Sequence, residues 1–464
     1  MYEDSKIFMK HIHFIAIGGA VMHQLALALH RQGYKVTGSD DEINDPARSN
    51  LALAGILPEN QGWFADKINP GIDAVVLGMH AKADNPELVA AQNFNIPIYS
   101  FPEYIYKVAA DKTRVVVAGS HGKTTITSMI MHILRKQDLP FDYLVGAKVE
   151  GFSQSVQLSD APVIVLEGDE YPASIIEKKP KIFFYKPDIT VLSGIAWDHI
   201  NVFPTYDNYL QQFRQYLQDC DKNIPLFYNA EDEEVVRLVA SSAGHLKAIP
   251  YNMPKYHYED GVAVLETKIG PVEVSVFGSH NLLNMQAAIA VCEELGISRE
   301  DCYQAIMDFT GAARRLERIA EADNLVAFRD FAHAPSKLKA TLDAVREAYP
   351  TYKLVACFEL HTYSSLSAQF LHEYEGSMAS ADDAIVYFSH HALQLKGLPA
   401  LSKEDVTTHF KVEGLKAIDN KEELQNTVAG LLSGASQPVC LLLMSSGTFD
   451  GIDWNSVVSQ KELN

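Results

Sequence analysis

Short apolar runs recur along the chain, each followed by a glycine turn or by a stretch with helical spacing. Within residues 11–108, "HIHFIAIGG" reads as a strand entering a glycine turn. "VMHQLALALHRQG" then reads as a helix ended by Gly33, and "YKVTGSD" as a second strand; "DAVVLGM" and "IPIYS" read as further strands. This alternation predicts βαβ units and a parallel sheet covered by helices. Over 109–312, "RVVVAG" runs through a turn into the helical "TTITSMIMHILRK". Strands at "APVIVLEGDE" and "DITVLSGIAWDH" follow, then helices over 206–219 and 281–295, with hairpin-like patterning over 250–280. Residues 313–464 begin another α/β unit, with strands at "NLVAFRDFA", "KLVACFEL", "DAIVYFS" and "VCLLLMSSG". The 464 residues exceed what one hydrophobic core supports, so three domains are expected: 1–108, 109–312 and 313–464.

Composition narrows the class. Apolar residues make up 47% and charged residues 21%, as in an ordinary globular protein. No apolar run is long enough to span a bilayer, and the start lacks the basic segment and apolar core of a secretory signal. Cys220, Cys292, Cys302, Cys357 and Cys440 are scattered without ligand spacing and read as reduced, mostly buried thiols. A cytoplasmic enzyme or binding protein is expected, without membrane insertion. The formal charge of −20 opposes general nucleic-acid binding, which needs clustered Lys and Arg. An anionic ligand must then be held by a few local donors and metal ions.

The strongest chemical signal is "VVVAGSHGKTTITSMI", residues 115–130. Gly122-Lys123-Thr124 ends a phosphate-binding loop, but the usual first glycine would fall on Val117. Even so shortened, a strand–glycine turn–helix junction aims backbone N–H groups and the helix dipole at phosphate oxygens. ATP is the expected ligand of Gly119, Ser120, His121, Gly122, Lys123, Thr124 and Thr125, with Lys123 on the β- and γ-phosphates and Thr124 on Mg²⁺. In "VIVLEGDEY" a buried strand runs into Glu167, Asp169 and Glu170, and strand ends in open α/β sheets face the ligand crevice. Glu167 is the expected oxygen ligand for Mg²⁺. Another strand ends in Asp198-His199, where His199 is a second candidate metal ligand.

Weaker signals follow. In "FGSHNLLNMQAAIA", His280, Asn281 and Asn284 open a helix, and amides at i and i+3 share a face suited to an adenine edge; helix capping by Asn281 is the bland alternative. "GAARRLERI" and "FRDFAHAPSK" place Arg314, Arg315, Asp330, His333 and Lys337 at the start of the last unit. Cations there would clamp phosphates on closure, and Asp330 would accept from a ribose hydroxyl. The first turn, Gly18-Gly19-Ala20, lacks full dinucleotide spacing, although Asp40 ends the second strand where a ribose hydroxyl is often received.

Taken together, "AGSHGKTT", "EGDEY", "WDHINVF", "GSHNLLN", "ARRLE" and "DFAHAP" resemble, in order, the motifs of the Mur ligase family. Its members are the ATP-dependent amide-forming enzymes of bacterial cell-wall synthesis, and their own phosphate loop dispenses with the first glycine. The resemblance implies an N-terminal Rossmann-like UDP-binding domain, a central P-loop ATPase domain and a C-terminal Rossmann-like domain. It implies that ATP phosphorylates the lactyl carboxylate of UDP-N-acetylmuramate and that an amine attacks the acyl phosphate. Lys123, Glu167, His199 and His333 would be catalytic, with Thr124, Glu167 and His199 on Mg²⁺. His280, Asn281, Asn284 and Asp330 would hold the nucleoside, Arg315 would join from the last domain, and Gly18, Gly19, Ser39, Asp40 and Asn85 would hold the UDP-sugar.

Two features narrow the resemblance. Phe213 stands where other branches carry a carbamylated lysine, which points to the branch acting directly on UDP-N-acetylmuramate. "ELHTYSS", residues 359–365, has Thr362 and Ser365 where L-alanine-adding ligases carry arginines, and "MSSGTFDGI" resembles the murein peptide ligases instead. The expected acceptor is the tripeptide L-Ala-γ-D-Glu-meso-diaminopimelate, as a monomer or weak homo-oligomer. An L-alanine ligase and a non-catalytic ATP-binding regulator are the rivals. Val21 and His23 depart from the family's commoner glycines in the first turn, and only the first histidine of its "HHP" motif is present, as His333.

Overall fold

A computed structural model describes residues 10–79, 81–147, 149–174, 177–197, 202–259, 262–276, 278–310, 316–322 and 324–462. By packing, the chain falls into two compact units. One comprises Met1–Gly119, Ile126–Ser193 and Gln212–Pro250; the other comprises Ser120–Thr125, Gly194–Gln211 and Tyr251–Asn464. The fold is α/β, built on parallel sheets.

The first unit holds two sheets. Strands β1 (His11–Ile15), β2 (Lys35–Ser39), β3 (Ala74–Leu77) and β4 (Ile98–Ser100) form a parallel sheet in the order β2-β1-β3-β4. The helix Met22–Arg31 links β1 to β2 as the apolar spacing predicts, and Leu25, Ala26 and Leu29 are fully covered. On the other face, Ile15, Val75 and Leu77 pack with Leu88 and Ala91 of the helix Pro86–Asn93.

The central sheet comprises β5 (Thr113–Ala118), β6 (Phe141–Leu144), β7 (Val156–Gln157), β8 (Val163–Glu167), β9 (Ile189–Leu192), β10 (Pro225–Asn229) and β11 (Lys247–Tyr251). Its order is β11-β10-β9-β5-β8-β6-β7, with β5 running parallel to both β8 and β9. Val115–Ala118 are wholly buried, because a central parallel strand is covered on both faces. The helix Tyr206–Asp219 has the bounds its spacing predicts.

In the second unit, the 250–280 stretch forms an antiparallel sheet of β12 (Tyr256–Glu259), β13 (Val262–Thr267) and β14 (Gly270–Val274). The last sheet contains β15 (Glu317–Ala322), β16 (Leu325–Asp330), β17 (Lys353–Leu360), β18 (Asp383–Phe388), β19 (Lys416–Ile418) and β20 (Val439–Met444), in the order β15-β16-β20-β17-β18-β19. The edge strand β15 is antiparallel to β16, whereas β16–β20–β17–β18–β19 all pair in parallel. Alternate residues of β16 supply opposite cores: Val326 and Phe328 one, Leu325 and Ala327 the other.

Candidate active site

In the first unit, the turn after β1 folds back on the end of β2. The Ala16 and Ile17 N–H groups donate to Ser39 O at 2.9 and 3.1 Å, and Gly18 N–H donates to Asp40 Oδ2 at 2.7 Å. Gly18, Ser39 and Asp40, expected to hold the UDP-sugar, are thus brought together. Burial raises the Asp40 carboxyl to about 6, with Asp41 adding to the rise against the pull of the Gly18 N–H. A side chain at Gly18 would collide with Asp40 and Ile43, so glycine is required there. Burial also lowers His23, which stays neutral. Its Nδ1 donates to Gly19 O at 2.9 Å, leaving Nε2 to accept from Gln24 Nε2 at 2.8 Å.

Ser39 and Asn85 play more internal parts than the sequence suggested. Ser39 Oγ accepts from Lys67 Nζ at 2.8 Å and is itself fully buried. Asn85 caps the helix Pro86–Asn93, its Oδ1 accepting the N–H groups of Glu87 and Leu88 at 3.0 and 3.2 Å. That cap orients Glu87, whose Oε2 receives His13 Nε2 at 3.0 Å and whose Oε1 receives Phe64 N–H at 2.9 Å. Burial alone would raise Glu87, but hydrogen bonds from His13, Ser39 and Phe64 hold its carboxyl below the usual range. Beside the turn lies a cavity of about 530 Å³, lined by Gly18, Ala20, Gln24 and Glu42 and by Gly146 and Ser155.

Also in the first unit, Glu167 closes β8 in register with Val117 of β5, and Gly168 N–H continues the ladder to Val117 O at 2.8 Å. Glu167 Oε2 accepts Gly146 N–H at 2.6 Å. Asp169 pairs with Lys181 at 2.7 Å and accepts Tyr171 N–H at 3.1 Å. Of the two, Glu167 is the carboxylate at the strand end itself. Phe213 is fully buried.

In the second unit, residues 120–125 carry the phosphate loop into the helix Lys123–Lys136. The loop's flanking glycines, Gly119 and Gly122, have φ of +133° and +77°, conformations that disfavour any side chain. A Cβ on Gly122 would also penetrate the amide of Asn284, so the loop and the helix Ser279–Glu294 meet at glycine. That helix starts two residues before its predicted first turn, with Gly278 at the N-cap; Asn281 and Asn284 are buried within it, and the alternative of capping by Asn281 fails. Ser120 N–H donates to Gly194 O at 2.9 Å, and Ala196 N–H donates to Ser120 Oγ at 2.8 Å. Ser120 Oγ in turn sits 2.8 Å from His121 Nδ1. Burial, then Lys337, Lys123 and His280, push His121 down to about 3, so it is neutral and carries no charge to a phosphate. Its ring packs on Gly194, a packing role that only the glycine in "LSGIAWD" hinted at. Thr124 and Thr125 are buried at the helix start.

The last sheet adds groups to the same unit. Asp330 is buried; Oδ2 accepts Leu316 N–H at 2.8 Å, while Oδ1 accepts Ala332 N–H at 2.7 Å and Thr341 Oγ1–H at 3.2 Å. In this state it organises the loop leading to His333, whose Nδ1 donates to Phe331 O at 2.8 Å. Tyr256 OH donates to Glu347 at 2.7 Å and Tyr258 OH accepts Gly278 N–H at 2.9 Å, which ties the start of the helix Ser279–Glu294 to the helix Pro335–Ala348. Trp197 stacks edge-on against Phe370 at 5.8 Å. His199 and Arg315, with Asp198 and Arg314, lie outside the described residues. Among the described residues no group of three or more His, Cys, Asp or Glu gathers to hold a metal. Thr124 and Glu167 do offer the hard oxygens that Mg²⁺ prefers.

Comparison with known proteins now decides the family. The model of the Mur ligase family catalytic domain matches residues 11–113, and that of the Mur ligase middle domain matches 117–292. The UDP-N-acetylmuramate–L-alanine ligase of Lactiplantibacillus plantarum is 30% identical over 392 residues, spanning 80% of this chain and 82% of its own. The chain belongs to the Mur ligase family. The UDP-N-acetylmuramate–L-alanyl-γ-D-glutamyl-meso-2,6-diaminoheptandioate ligase of Haemophilus influenzae is 28% identical over 364 residues, covering 73% and 77% of the two chains. The solved UDP-N-acetylmuramate–alanine ligase of Thermotoga maritima superposes with a TM-score of 0.70 at 21% identity, covering 98% of this chain and all of its own, and so shares its fold. This Mur ligase is an ATP-dependent amide-forming enzyme. No described helix is long and apolar enough to cross a membrane.

Proposed function

We propose that this Mur ligase joins UDP-N-acetylmuramate to L-Ala-γ-D-Glu-meso-diaminopimelate, forming ADP and phosphate in the cytoplasm and returning a recycled peptide to cell-wall synthesis. The observation that carries the choice of acceptor is the state of Thr362 and Ser365. They form a reciprocal cap on the short helix Tyr363–Leu366, with Ser365 N–H donating to Thr362 Oγ1 and Thr362 N–H to Ser365 Oγ, both at 3.0 Å. Ser365 is wholly buried. These positions therefore offer no cation for the carboxylate of a free amino acid.

The chemistry requires alignment and charge neutralisation between two anions. Lys123 neutralises the transferring phosphoryl group, and Arg315 joins it from the last domain. Thr124, Glu167 and His199 would hold Mg²⁺, which would supply positive charge to the phosphates when bound. His280, Asn281, Asn284 and Asp330 position the nucleoside, and His333 faces the substrates. Gly18, Gly19, Ser39, Asp40 and Asn85 hold or shape the UDP-sugar site, and the 530 Å³ cavity beside that turn supports the assignment. The domains run over 1–108, 109–312 and 313–464, and the enzyme is a monomer or weak homo-oligomer.

A second reading, ligation of L-alanine, is favoured by the relatives that carry that name at about the same similarity. Steady-state ADP release with Mg²⁺, UDP-N-acetylmuramate and either acceptor separates the two. A higher kcat/KM for the tripeptide is expected; a higher kcat/KM for L-alanine overturns the proposal.

A further inference from the structure

Ligation needs a group that takes a proton from the incoming amine, and the last sheet carries a pair built for it. β17 and β20 are parallel neighbours, with Phe358 opposite Met444, so Glu359–His361 and Ser445–Gly447 emerge side by side at the carboxyl edge. Open α/β sheets bind their ligands at that edge. Glu359 is only 1% exposed. Its Oε2 accepts the Ser445 hydroxyl and, at 2.8 Å, the Phe449 N–H; its Oε1 lies 3.6 Å from His361 Nδ1. The His361 side chain is 38% exposed, yet Nδ1 is shut off from solvent and makes no hydrogen bond. The ring is therefore turned with Nδ1 toward the buried carboxylate and its Nε2 edge outward.

The surroundings enforce this posture. A Cβ at Gly447 would lie 2.6 Å from His361 Nδ1 and 2.9 Å from Glu359 Oε2, so only glycine lets imidazole and carboxylate meet. The loop beyond holds three successive left-handed residues, Phe449, Asp450 and Gly451, with φ of 52°, 51° and 77°. Glu359 grips its first N–H, and Tyr387 OH donates to Asp450 at 2.7 Å. Such strain persists where the fold over-determines a functional shape. The same edge carries Lys337, which stands near enough to the phosphate loop to act electrostatically on His121.

We propose that His361, backed by the buried carboxylate of Glu359, is the proton acceptor for the amine of the acyl acceptor. This rests on the ligase reading above. A buried carboxylate behind an imidazole fixes the Nδ1–H tautomer and stabilises the imidazolium. The acceptor's ammonium gives one proton to His361 Nε2 and becomes a neutral amine. The nitrogen lone pair then forms the C–N bond to the acyl-phosphate carbon. The C–O bond to phosphate breaks with its electrons going to phosphate, which also takes a second nitrogen proton, and the third stays as the amide N–H. His361 returns its proton to solvent.

Hydroxylamine tests this, because it is already unprotonated at neutral pH and traps the acyl phosphate as a hydroxamate without a base. His361→Gln and His361→Asn, checked for unchanged thermal melting, are expected to lose about 100-fold or more in peptide ligation. Hydroxamate formation from ATP and UDP-N-acetylmuramate should stay within about twofold of wild type. Glu359→Gln is expected to move the same ratio in the same direction. Unchanged peptide ligation, or equal loss of both reactions, overturns the assignment. If the wild type yields neither hydroxamate nor ligated product, the ligase reading beneath it falls instead.

Discussion

Two strand–glycine turn–helix junctions in this chain share a plan and differ in chemistry. After β5, the loop ends in Gly122-Lys123, and the helix opens directly on the lysine and two buried threonines. After β1, the Gly18 N–H is already committed to the carboxylate of Asp40. The first junction suits dense negative charge, since its glycine turn delivers a lysine to the positive N-terminal end of a long helix. The second places an acid where the first has a base. A glycine turn before a helix is thus a generic anion site only until its neighbours are read, and the side chain beside the glycine decides what it holds.

The largest expected effect comes from removing the cation. Lys123→Ala should lower UDP-N-acetylmuramate-dependent ADP release by about 100- to 1000-fold, measured by coupled assay on folded protein. Substantial turnover would break the contrast. Next comes Gly122→Ala, which combines a left-handed backbone with a collision at Asn284. A loss of about 1–3 kcal/mol in chemical denaturation, with weakened ATP binding by calorimetry, is expected. In the second junction, after β1, Asp40→Asn sharpens the contrast through pH. A raised acid pKa stabilises the fold fully below the unfolded value of 3.8, and that contribution is lost as pH rises through about 6. The variant should therefore gain on wild type from about pH 4 to about pH 7, by on the order of 1–2 kcal/mol in urea midpoints. A pH-independent difference would show that Asp40 is not buried as an acid. Smallest is Asn85→Ala, which should cost about 1 kcal/mol through loss of the cap and leave ATP binding unchanged.

How much of this was legible in the sequence varies with locality. "RVVVAGSHGKTT" carries strand, turn and helix start within one window, and the structure follows it residue by residue. The run "NLVAFRDFA" likewise announces a strand covered on both faces. Asn85 was harder, because a cap and a ligand contact use the same side-chain oxygen. His121 looked like a ligand from its position, but its neutrality depends on burial and on Lys337, more than 200 residues away. The Glu359–His361 pair is visible in "ELHTYSS" as letters only. That the glutamate is buried behind the imidazole is set by Gly447 and Phe449 from another strand, a pairing that no local spacing encodes.

The central claim is the choice of acceptor, and one competition decides it. The enzyme with ATP, Mg²⁺ and UDP-N-acetylmuramate would be given L-alanine and L-Ala-γ-D-Glu-meso-diaminopimelate at equal concentration, and the nucleotide-sugar product weighed by mass spectrometry. The account predicts the mass of the tripeptide conjugate. A product carrying a single alanine would contradict it and return Thr362 and Ser365 to mere helix caps.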